Sequence, residues 1–164
     1  MIPVAAAAIL FAGCGGGAGV AGGGADETVV VVAPQDAPVL AVTSLAMQGT
    51  DAAEAAIVTD LLRRELMRLG RWRVIDRESQ QALLAGHALQ LAGVASEAEA
   101  ASLGKLLNAR LITVGTFGIL MGQKVVTCRI VDVETGLATN AGTAEGKTVE
   151  ELKRGLADMV RTFK

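Results

Sequence analysis

The stretch that decides the fold is RLITVGTFGILMGQKVVTCRIVDV, residues Arg110–Val133. It contains two apolar runs rich in β-branched residues, RLITVGTFGIL and KVVTCRIVDV, and such runs are typical of β-strands. Leu111–Thr116 is apolar enough for a central strand, and Leu120–Lys124 can close a short turn between the two runs. The sequence therefore predicts a β-hairpin inside a larger sheet.

Further strands are predicted on both sides of this hairpin. VLAVTSL (Val39–Leu45) and RWRVIDR (Arg71–Arg77) have the β-branched composition of strands. After a turn at Asp132–Gly136, residues Leu137–Gly146 have the weaker pattern of a last strand.

Three helices are predicted from their start signals, each an N-cap residue three positions before a glutamate that can reach back to it. The pairs are Asp51 with Glu54, Ser96 with Glu99, and Thr148 with Glu151. The first helix also has apolar residues at spacings of four and three and then a C-cap glycine: Val58, Leu62, Leu66, Leu69 and Gly70. A further helical stretch surrounds His87.

The resulting element order, β-α-β-α-α-β-β-β-α, predicts an α/β fold with a mixed sheet of about four to five strands packed against helices. This domain spans residues 39–164 of a 164-residue chain, a length that suits one domain. A hydrophobic content of 51% is ample for its core.

The N-terminal residues have the pattern of a bacterial lipoprotein signal. Val4–Ala12 is an apolar run of nine residues, which suits the core of a signal peptide and is too short to span a bilayer. The small residues Ala12 and Gly13 precede Cys14, as at a lipoprotein cleavage site. We expect residues 1–13 to be a signal peptide and Cys14 to be the lipidated first residue of the mature chain. The alternative is an apolar N-terminal strand with a buried cysteine.

Residues 14–38 are rich in glycine and alanine and are expected to form a flexible tether. Within them, Gly17-x-Gly19-x-x-Gly22 matches a dinucleotide-binding fingerprint, which requires a strand before it and a helix after it. The glycines that follow form helices poorly, so the tether is favoured. Val29–Val32 is consistent with an edge strand or with the apolar end of the tether.

Composition disfavours nucleic-acid and sugar ligands. The net charge is −2, and from Val39 onward 15 basic residues balance 14 acidic ones, without the basic excess of a nucleic-acid-binding protein. The chain has no Tyr, one Trp and three Phe, too few for the aromatic platforms on which bases and sugars stack. We expect no nucleic-acid partner.

The succession of segments resembles the core domain of the CsgG-like lipoprotein family, which serves curli production, assembly and transport, and of its relatives, the LpoB-type activators of penicillin-binding proteins. The resemblance covers about Val39 to Gly136 and is carried by VLAVTSL, LLRRELMRLGRWRVIDRE, ASLGKLLNARLITVGTF and RIVDVETGLA. It implies an outer-membrane lipoprotein that faces the periplasm. Gly15 agrees with this location, because an aspartate after the cysteine is associated with inner-membrane retention.

The resemblance implies a non-enzymatic, lipid-anchored binding and assembly module of the cell envelope. The alternative is an LpoB-like activator of a cell-wall synthase, and a nucleotide-binding enzyme is a distant alternative. We expect this chain to lack the transmembrane hairpins of the family's channel-forming member, because the strand that begins at Arg110 is followed by a turn of only five residues, Leu120–Lys124. Three kinds of partner are expected. The lipid attaches the chain to the membrane, and the domain binds envelope proteins and further copies of the chain.

Six arginines within fifteen residues are candidates to contact anionic lipid headgroups, cell-wall carboxylates or an acidic partner. They are Arg63, Arg64, Arg68, Arg71, Arg73 and Arg77. The alternative is a solvated helix face, with Asp60 and Glu65 nearby and cations that suit the C-terminus of a helix.

Four features that resemble chemical sites have simpler interpretations. Ala141–Thr148 satisfies the loose phosphate-loop pattern, but its threonine already serves as an N-cap and no strand follows to carry a magnesium-binding aspartate. Asp132 and Glu134 border a turn, where acidic residues are favoured. His87 has no second histidine to form a metal site or a triad, and Cys128 alternates with core residues. We therefore expect no catalytic residue, no cofactor and no metal.

Overall fold

The computed structural model describes residues 32–85 and 96–164. Cys14, the glycine fingerprint of residues 17–22 and His87 lie outside the described residues. Of the run Val29–Val32, only Val32 is described, and it is exposed and outside any strand.

Within the described residues the chain forms six strands and four helices. The strands are β1 (Val39–Val42), β2 (Ala46–Gln48), β3 (Arg73–Val74), β4 (Leu111–Leu120), β5 (Gln123–Asp132) and β6 (Ala138–Gly146). The helices are α1 (Ala52–Leu69), α2 (Arg77–Ala85), α3 (Glu97–Leu106) and α4 (Val149–Thr162). None of these helices has the length and apolar character needed to cross a membrane.

One mixed sheet contains all six strands, in the order β3-β1-β4-β5-β6, and β2 pairs with β4 beyond the end of β1. β1 runs parallel to β3 and β4, and β2 also runs parallel to β4. The pairs β4–β5 and β5–β6 are antiparallel. The predicted mixed α/β sheet is confirmed, with six strands instead of four to five because β2 was not foreseen.

The strand predicted at Val39–Leu45 ends at Val42, and β2 begins just beyond the predicted segment, at Ala46. Ala46 lies four positions after Val42, whereas their partners on β4, Thr116 and Thr113, lie only three apart, so one residue is extra. At the interruption, the Thr43 N–H donates to Thr113 Oγ1 at 3.1 Å. The Thr43 hydroxyl donates to the Thr113 carbonyl at 2.6 Å. These side-chain bonds replace the regular ladder.

The predicted hairpin is confirmed, and its turn is Met121-Gly122. Leu120 pairs with Gln123, which leaves two residues in the turn. Met121 has φ +50° and Gly122 has φ +76°. Two consecutive left-handed residues are the feature of a type I′ turn, whose twist matches that of the flanking strands.

Helices cover both faces of the sheet. On one face, α1 and α4 pack over a core that includes Leu40, Leu62, Phe117, Leu156 and Phe163. On the other face, α3 packs over a smaller core that includes Ala41, Leu103, Ile112 and Val131. Neighbouring residues of β1, such as Leu40 and Ala41, belong to different cores, because successive side chains of a strand point to opposite faces.

The three predicted helix starts are confirmed. The side chains of Asp51, Ser96 and Thr148 accept the N–H three residues later at 2.7, 3.3 and 3.2 Å. Gly70 ends α1 with φ 66°, as predicted. The glutamates behave differently from a capping box, because the Glu54 carboxylate pairs with Lys124 and the Glu151 carboxylate accepts the Lys147 N–H at 2.8 Å.

Cys128 lies in the core with Val126 and Ile130, as its position in the sequence predicted. Burial raises the pKa of the Cys128 thiol to about 12. Because the thiolate is the reactive form, we predict that the folded Cys14→Ala chain does not react with a thiol reagent at about pH 8. Absorbance at the reagent's wavelength should rise only after unfolding in denaturant, and rapid labelling of the native chain would contradict this burial.

Candidate interaction surfaces

The six arginines of the predicted cluster are spread over several elements. Arg63, Arg64 and Arg68 lie on α1, Arg71 precedes β3, Arg73 lies on β3 and Arg77 begins α2. Five of them form hydrogen bonds or ion pairs within the described residues. The cluster in the sequence is therefore not one continuous patch of unengaged charge.

Arg63 attaches α1 to the carboxyl end of β1. Its Nη2 donates to the Val42 carbonyl at 2.9 Å and to Gln80 Oε1 at 3.5 Å, and its Nη1 lies 3.5 Å from the Asp60 carboxylate. Burial lowers the pKa of the Arg63 guanidinium, and the charge of Asp60 opposes that shift. Arg77 joins the network through Asp60, at 3.1 Å. Arg63 is thus engaged inside the fold.

A small cavity adjoins Arg63 at the carboxyl end of β1, where open α/β sheets commonly bind ligands. Its volume is about 70 Å³. The buried Nε of Arg63 and Nε2 of Gln80 have no hydrogen-bond partner within the described residues. Such a volume has room for about two water molecules, whereas ligand pockets measure roughly 300 to 1,000 Å³. The cavity is too small for a nucleotide or a sugar ring.

Two arginines attach the segment around β3 to distant parts of the chain. The Arg71 guanidinium donates to the carbonyl of Phe163 at the end of α4. The Arg73 guanidinium donates to the Gln35 carbonyl at 3.1 Å. Both contacts involve backbone carbonyls of this chain, so these arginines contribute to the position of β3.

Arg64 and Arg68 are the exposed arginines of α1. Arg68 lies 3.5 Å from the carboxylate of Glu65, which is buried. An ion pair with one exposed partner contributes little stability and leaves much of the guanidinium accessible. The predicted contact with an anionic partner applies best to these two side chains and stays a prediction.

An open apolar groove lies beside β3, and we call it the β3 groove. Its volume is about 560 Å³, and its lining includes Val32, Met67, Trp72, Arg73 and Val74. The segments that form it, residues 32–35 and 67–74, carry three arginines and no carboxylate, a balance of +3. The β3 groove therefore combines an apolar lining with basic surroundings.

The β4–β5 turn forms a second apolar surface, which we call the hairpin tip. It consists of Ile119, Leu120 and Met121, which are 50%, 66% and 97% exposed. Met47 of β2, 52% exposed, pairs with Phe117 and so lies beside Ile119 on the same face. Contiguous exposed apolar side chains of this kind are typical of interaction sites.

Asp132 and Glu134 lie in a turn, as predicted. Asp132 Oδ1 accepts the N–H of Glu134 at 2.9 Å and that of Thr135 at 3.1 Å, and Gly136 has φ +69°. The backbone hydrogen bond from Thr135 is the main cause that lowers the pKa of Asp132. Arg110 Nη2 lies 3.5 Å from the Asp132 carboxylate and 3.8 Å from that of Glu134. The Asp132 carboxylate therefore stabilises the turn, and the exposed Glu134 carboxylate pairs with Arg110.

Ala141–Thr148 is not a loop, because the residues up to Gly146 belong to β6 and pair with β5. Its glycines make room for α4. A Cβ on Gly142 would lie 2.5 Å from Met159 Cγ, and a Cβ on Gly146 would lie 2.4 Å from the Leu152 backbone nitrogen. Helix packing therefore accounts for Gly146, the glycine of this stretch that matched the phosphate-loop pattern.

This packing role makes a prediction for two neighbouring residues. Lys147→Ala should change stability by no more than about 0.5 kcal/mol, because Lys147 is exposed. Gly146→Ala should cost roughly 1 to 3 kcal/mol, because its Cβ would overlap the α4 backbone. Urea denaturation measures both variants. The packing interpretation would be contradicted if the natural chain bound ATP and Lys147→Ala abolished that binding.

Several side chains of types that commonly perform catalysis have structural positions in the described part of the chain. No group of three His, Cys, Asp or Glu side chains in residues 32–85 and 96–164 is arranged to hold a metal ion. Cys128 is in the core, and the Asp132 and Glu134 carboxylates belong to a turn. The β3 groove and the hairpin tip are candidate interaction surfaces.

Sequence reasoning missed both of these surfaces. A signal for the hairpin tip was present, since three large apolar residues directly precede Gly122 of the predicted turn. For the β3 groove the signal was Trp72, the single tryptophan, placed among arginines. The groove also depends on residues 32–38, which are distant in the sequence, so its shape could not be predicted.

No protein-family model matches the sequence, and no curated protein sequence matches it. Solved structures do match the fold. The LpoB C-terminal domain from Salmonella enterica aligns with a TM-score of 0.56 and 16% identity, over 71% of this chain and 88% of that chain. The NMR structure of E. coli LpoB aligns with a TM-score of 0.56 and 12% identity, over 88% and 83%. Lipoprotein GNA1162 from Neisseria meningitidis aligns with a TM-score of 0.56 and 14% identity, over 68% and 81%.

At these identities the likeness is one of fold. The alignments extend over at least 81% of each of these three neighbours, so they include most of each solved chain. They also include the greater part of the described residues. The chain therefore shares its mixed α/β fold with LpoB and with lipoprotein GNA1162.

Proposed function

We propose that this chain is a lipid-anchored periplasmic binding protein of the bacterial cell envelope that activates a cell-wall synthase, as the LpoB-type lipoproteins do. The observation that carries the proposal is the fold, which aligns with 88% of the LpoB C-terminal domain from Salmonella enterica. The lipoprotein signal of residues 1–13 and Cys14 is a second and independent support.

The length of the proposed tether allows the anchored domain to contact a synthase near the membrane. Lipid on Cys14 would hold the chain at the periplasmic face of the outer membrane. The random-coil estimate for a tether of about 20 residues, as expected between Cys14 and the described residues, is a root-mean-square reach of roughly 20 to 30 Å. The domain can then search the space below the membrane for a synthase while it stays attached.

The described surface is suited to a protein partner. The β3 groove exposes Met67, which is 48% exposed, near Arg73, and Met and Arg are enriched at protein interfaces. The small cavity beside Arg63, by contrast, lacks the volume for a metabolite.

The second candidate is a role in envelope assembly or secretion, based on the resemblance of Val39–Gly136 to the CsgG-like family. Synthase activation ranks above it because the fold aligns with LpoB. A nucleotide-binding enzyme is the distant alternative. Its main support, the pattern in Ala141–Thr148, falls largely within β6.

The proposal is tested by biolayer interferometry between the mature Cys14→Ala chain and the periplasmic region of the organism's bifunctional cell-wall synthase. We expect saturable binding with a Kd between roughly 1 nM and 10 µM. A heat-unfolded sample of the chain and an immobilised unrelated periplasmic protein are the controls. No binding at about 100 µM would contradict synthase activation and favour the assembly role.

A further inference from the structure

Met121, at the end of the hairpin tip, has a backbone conformation that disfavours its side chain. Its φ of +50° lies in the left-handed region, which Gly, Asn and Asp tolerate and long side chains do not. Asn followed by Gly122 would be the preferred type I′ pair. Core packing does not explain the methionine, because its side chain is 97% exposed. A residue that opposes its local preference at the surface indicates a role there.

The surroundings of the hairpin tip are acidic. Three neighbouring segments, residues 46–57, 117–126 and 143–151, carry five carboxylates and two lysines, a balance of −3. They are adjacent because β2 pairs with β4 next to the tip and Gly146 pairs with Lys124. The β3 groove has the opposite character, with a balance of +3 around its apolar lining. Both surfaces are apolar, and the charges around them are opposite in sign.

The two surfaces lie at opposite ends of the molecule. Val74 of β3 pairs with Leu40, and Leu40 pairs with Leu111 at the start of β4. The hairpin tip follows the other end of β4, ten residues later, which is roughly 33 Å along a strand. One copy of the chain therefore cannot place its own tip in its own groove.

We propose that the hairpin tip of one copy binds the β3 groove of another copy. Leu120 and Met121 would contact Val32 and Met67, which are 83% and 48% exposed, while the acidic segments face the arginines around the groove. This head-to-tail interface joins two different surfaces, so association continues into chains of copies or closes into a ring. A membrane is not the occupant, because anionic headgroups repel the acidic surroundings of the tip. The inference is independent of synthase activation.

Sedimentation velocity of the mature Cys14→Ala chain tests this interface between about 1 and 200 µM. We expect the average mass to rise with concentration, and association to weaken in about 0.5 M salt because complementary charges are screened. Met121→Asn and Met67→Glu should each weaken self-association roughly tenfold or more. Met121→Asn suits the turn, so its loss of association cannot be attributed to misfolding.

A mixture of the two variants provides the sharper test. Met121→Asn keeps an intact groove and Met67→Glu keeps an intact tip, so one intact interface remains between unlike chains. We expect dimers with one copy of each and no larger species. Leu137→Asn is the matched control, because Leu137 is as exposed as Leu120, at 66%, and belongs to neither surface. It should associate like the parent chain.

The interface is disproved if the parent chain stays monomeric at every concentration. A mixture that remains monomeric, or that grows beyond dimers, overturns it as well. So does a Leu137→Asn chain that loses association as fully as Met121→Asn. If circular dichroism shows that Met67→Glu does not fold, Arg73→Glu replaces it as the groove variant, with the same expected results.

Discussion

The Cys14→Ala variant is expected to move from the membrane fraction to the soluble periplasmic fraction. Cys14 is the residue that the N-terminal signal marks for lipidation. One acyl chain binds a membrane only marginally, whereas the several chains of a lipoprotein anchor it stably, so their loss has a large effect. Cell fractionation with immunoblotting measures the shift, and mass spectrometry of the mature N-terminus identifies the modification.

Cys128→Ala is the matched control for this experiment. Cys128 lies in the core, so its replacement should leave the chain in the membrane fraction. An unmodified Cys14, or a mature chain that begins at another residue, would end the lipoprotein interpretation.

Phe163→Ala is expected to lower the free energy of unfolding by about 3 to 5 kcal/mol. Phe163 is fully buried after the end of α4, close to Gly142 of β6, and Arg71 donates to its carbonyl. Removal of the ring leaves a cavity between the helix and the sheet. Domains are stable by only about 5 to 15 kcal/mol, so the variant should unfold at a much lower urea concentration.

Leu137→Ala is the control for this substitution. Its side chain is exposed, so truncation should change stability by no more than about 0.5 kcal/mol. Urea denaturation followed by circular dichroism compares the two variants. If Phe163→Ala costs less than about 1 kcal/mol, α4 does not pack on β6 as described.

The parts of the fold that depend on local sequence were predictable. An N-cap needs a side-chain oxygen three residues before the N–H that it accepts, so Asp51, Ser96 and Thr148 could be recognised from the sequence. The hairpin could be recognised for a similar reason, because its two apolar runs are separated by a short segment with Gly122.

The break between β1 and β2 could not be predicted, because it depends on a distant partner. Thr43 leaves the regular ladder by bonding to Thr113, which is 70 residues away. Nothing in VLAVTSL alone indicates that the strand ends at Val42. The strand predicted at Val39–Leu45 was therefore three residues too long, and β2, at Ala46–Gln48, was not predicted.

The partners of the arginines in the cluster also could not be predicted from the sequence. Sequence spacing placed six arginines close together, but it could not indicate that Arg63 bonds to the Val42 carbonyl or that Arg71 bonds to Phe163. Those partners become neighbours only when α1 packs against the sheet and α4. The phosphate-loop pattern was equally ambiguous, because close packing against α4 also requires a glycine at Gly146.

The central proposal is that this chain activates a cell-wall synthase, and the most direct test is the rate of glycan polymerisation by the organism's cell-wall synthase in detergent micelles. The mature Cys14→Ala chain is added at increasing concentration, with its heat-unfolded form as the control. The account predicts a rate that rises with the amount of folded chain until it saturates. A rate that stays constant at saturating amounts of folded chain would contradict it.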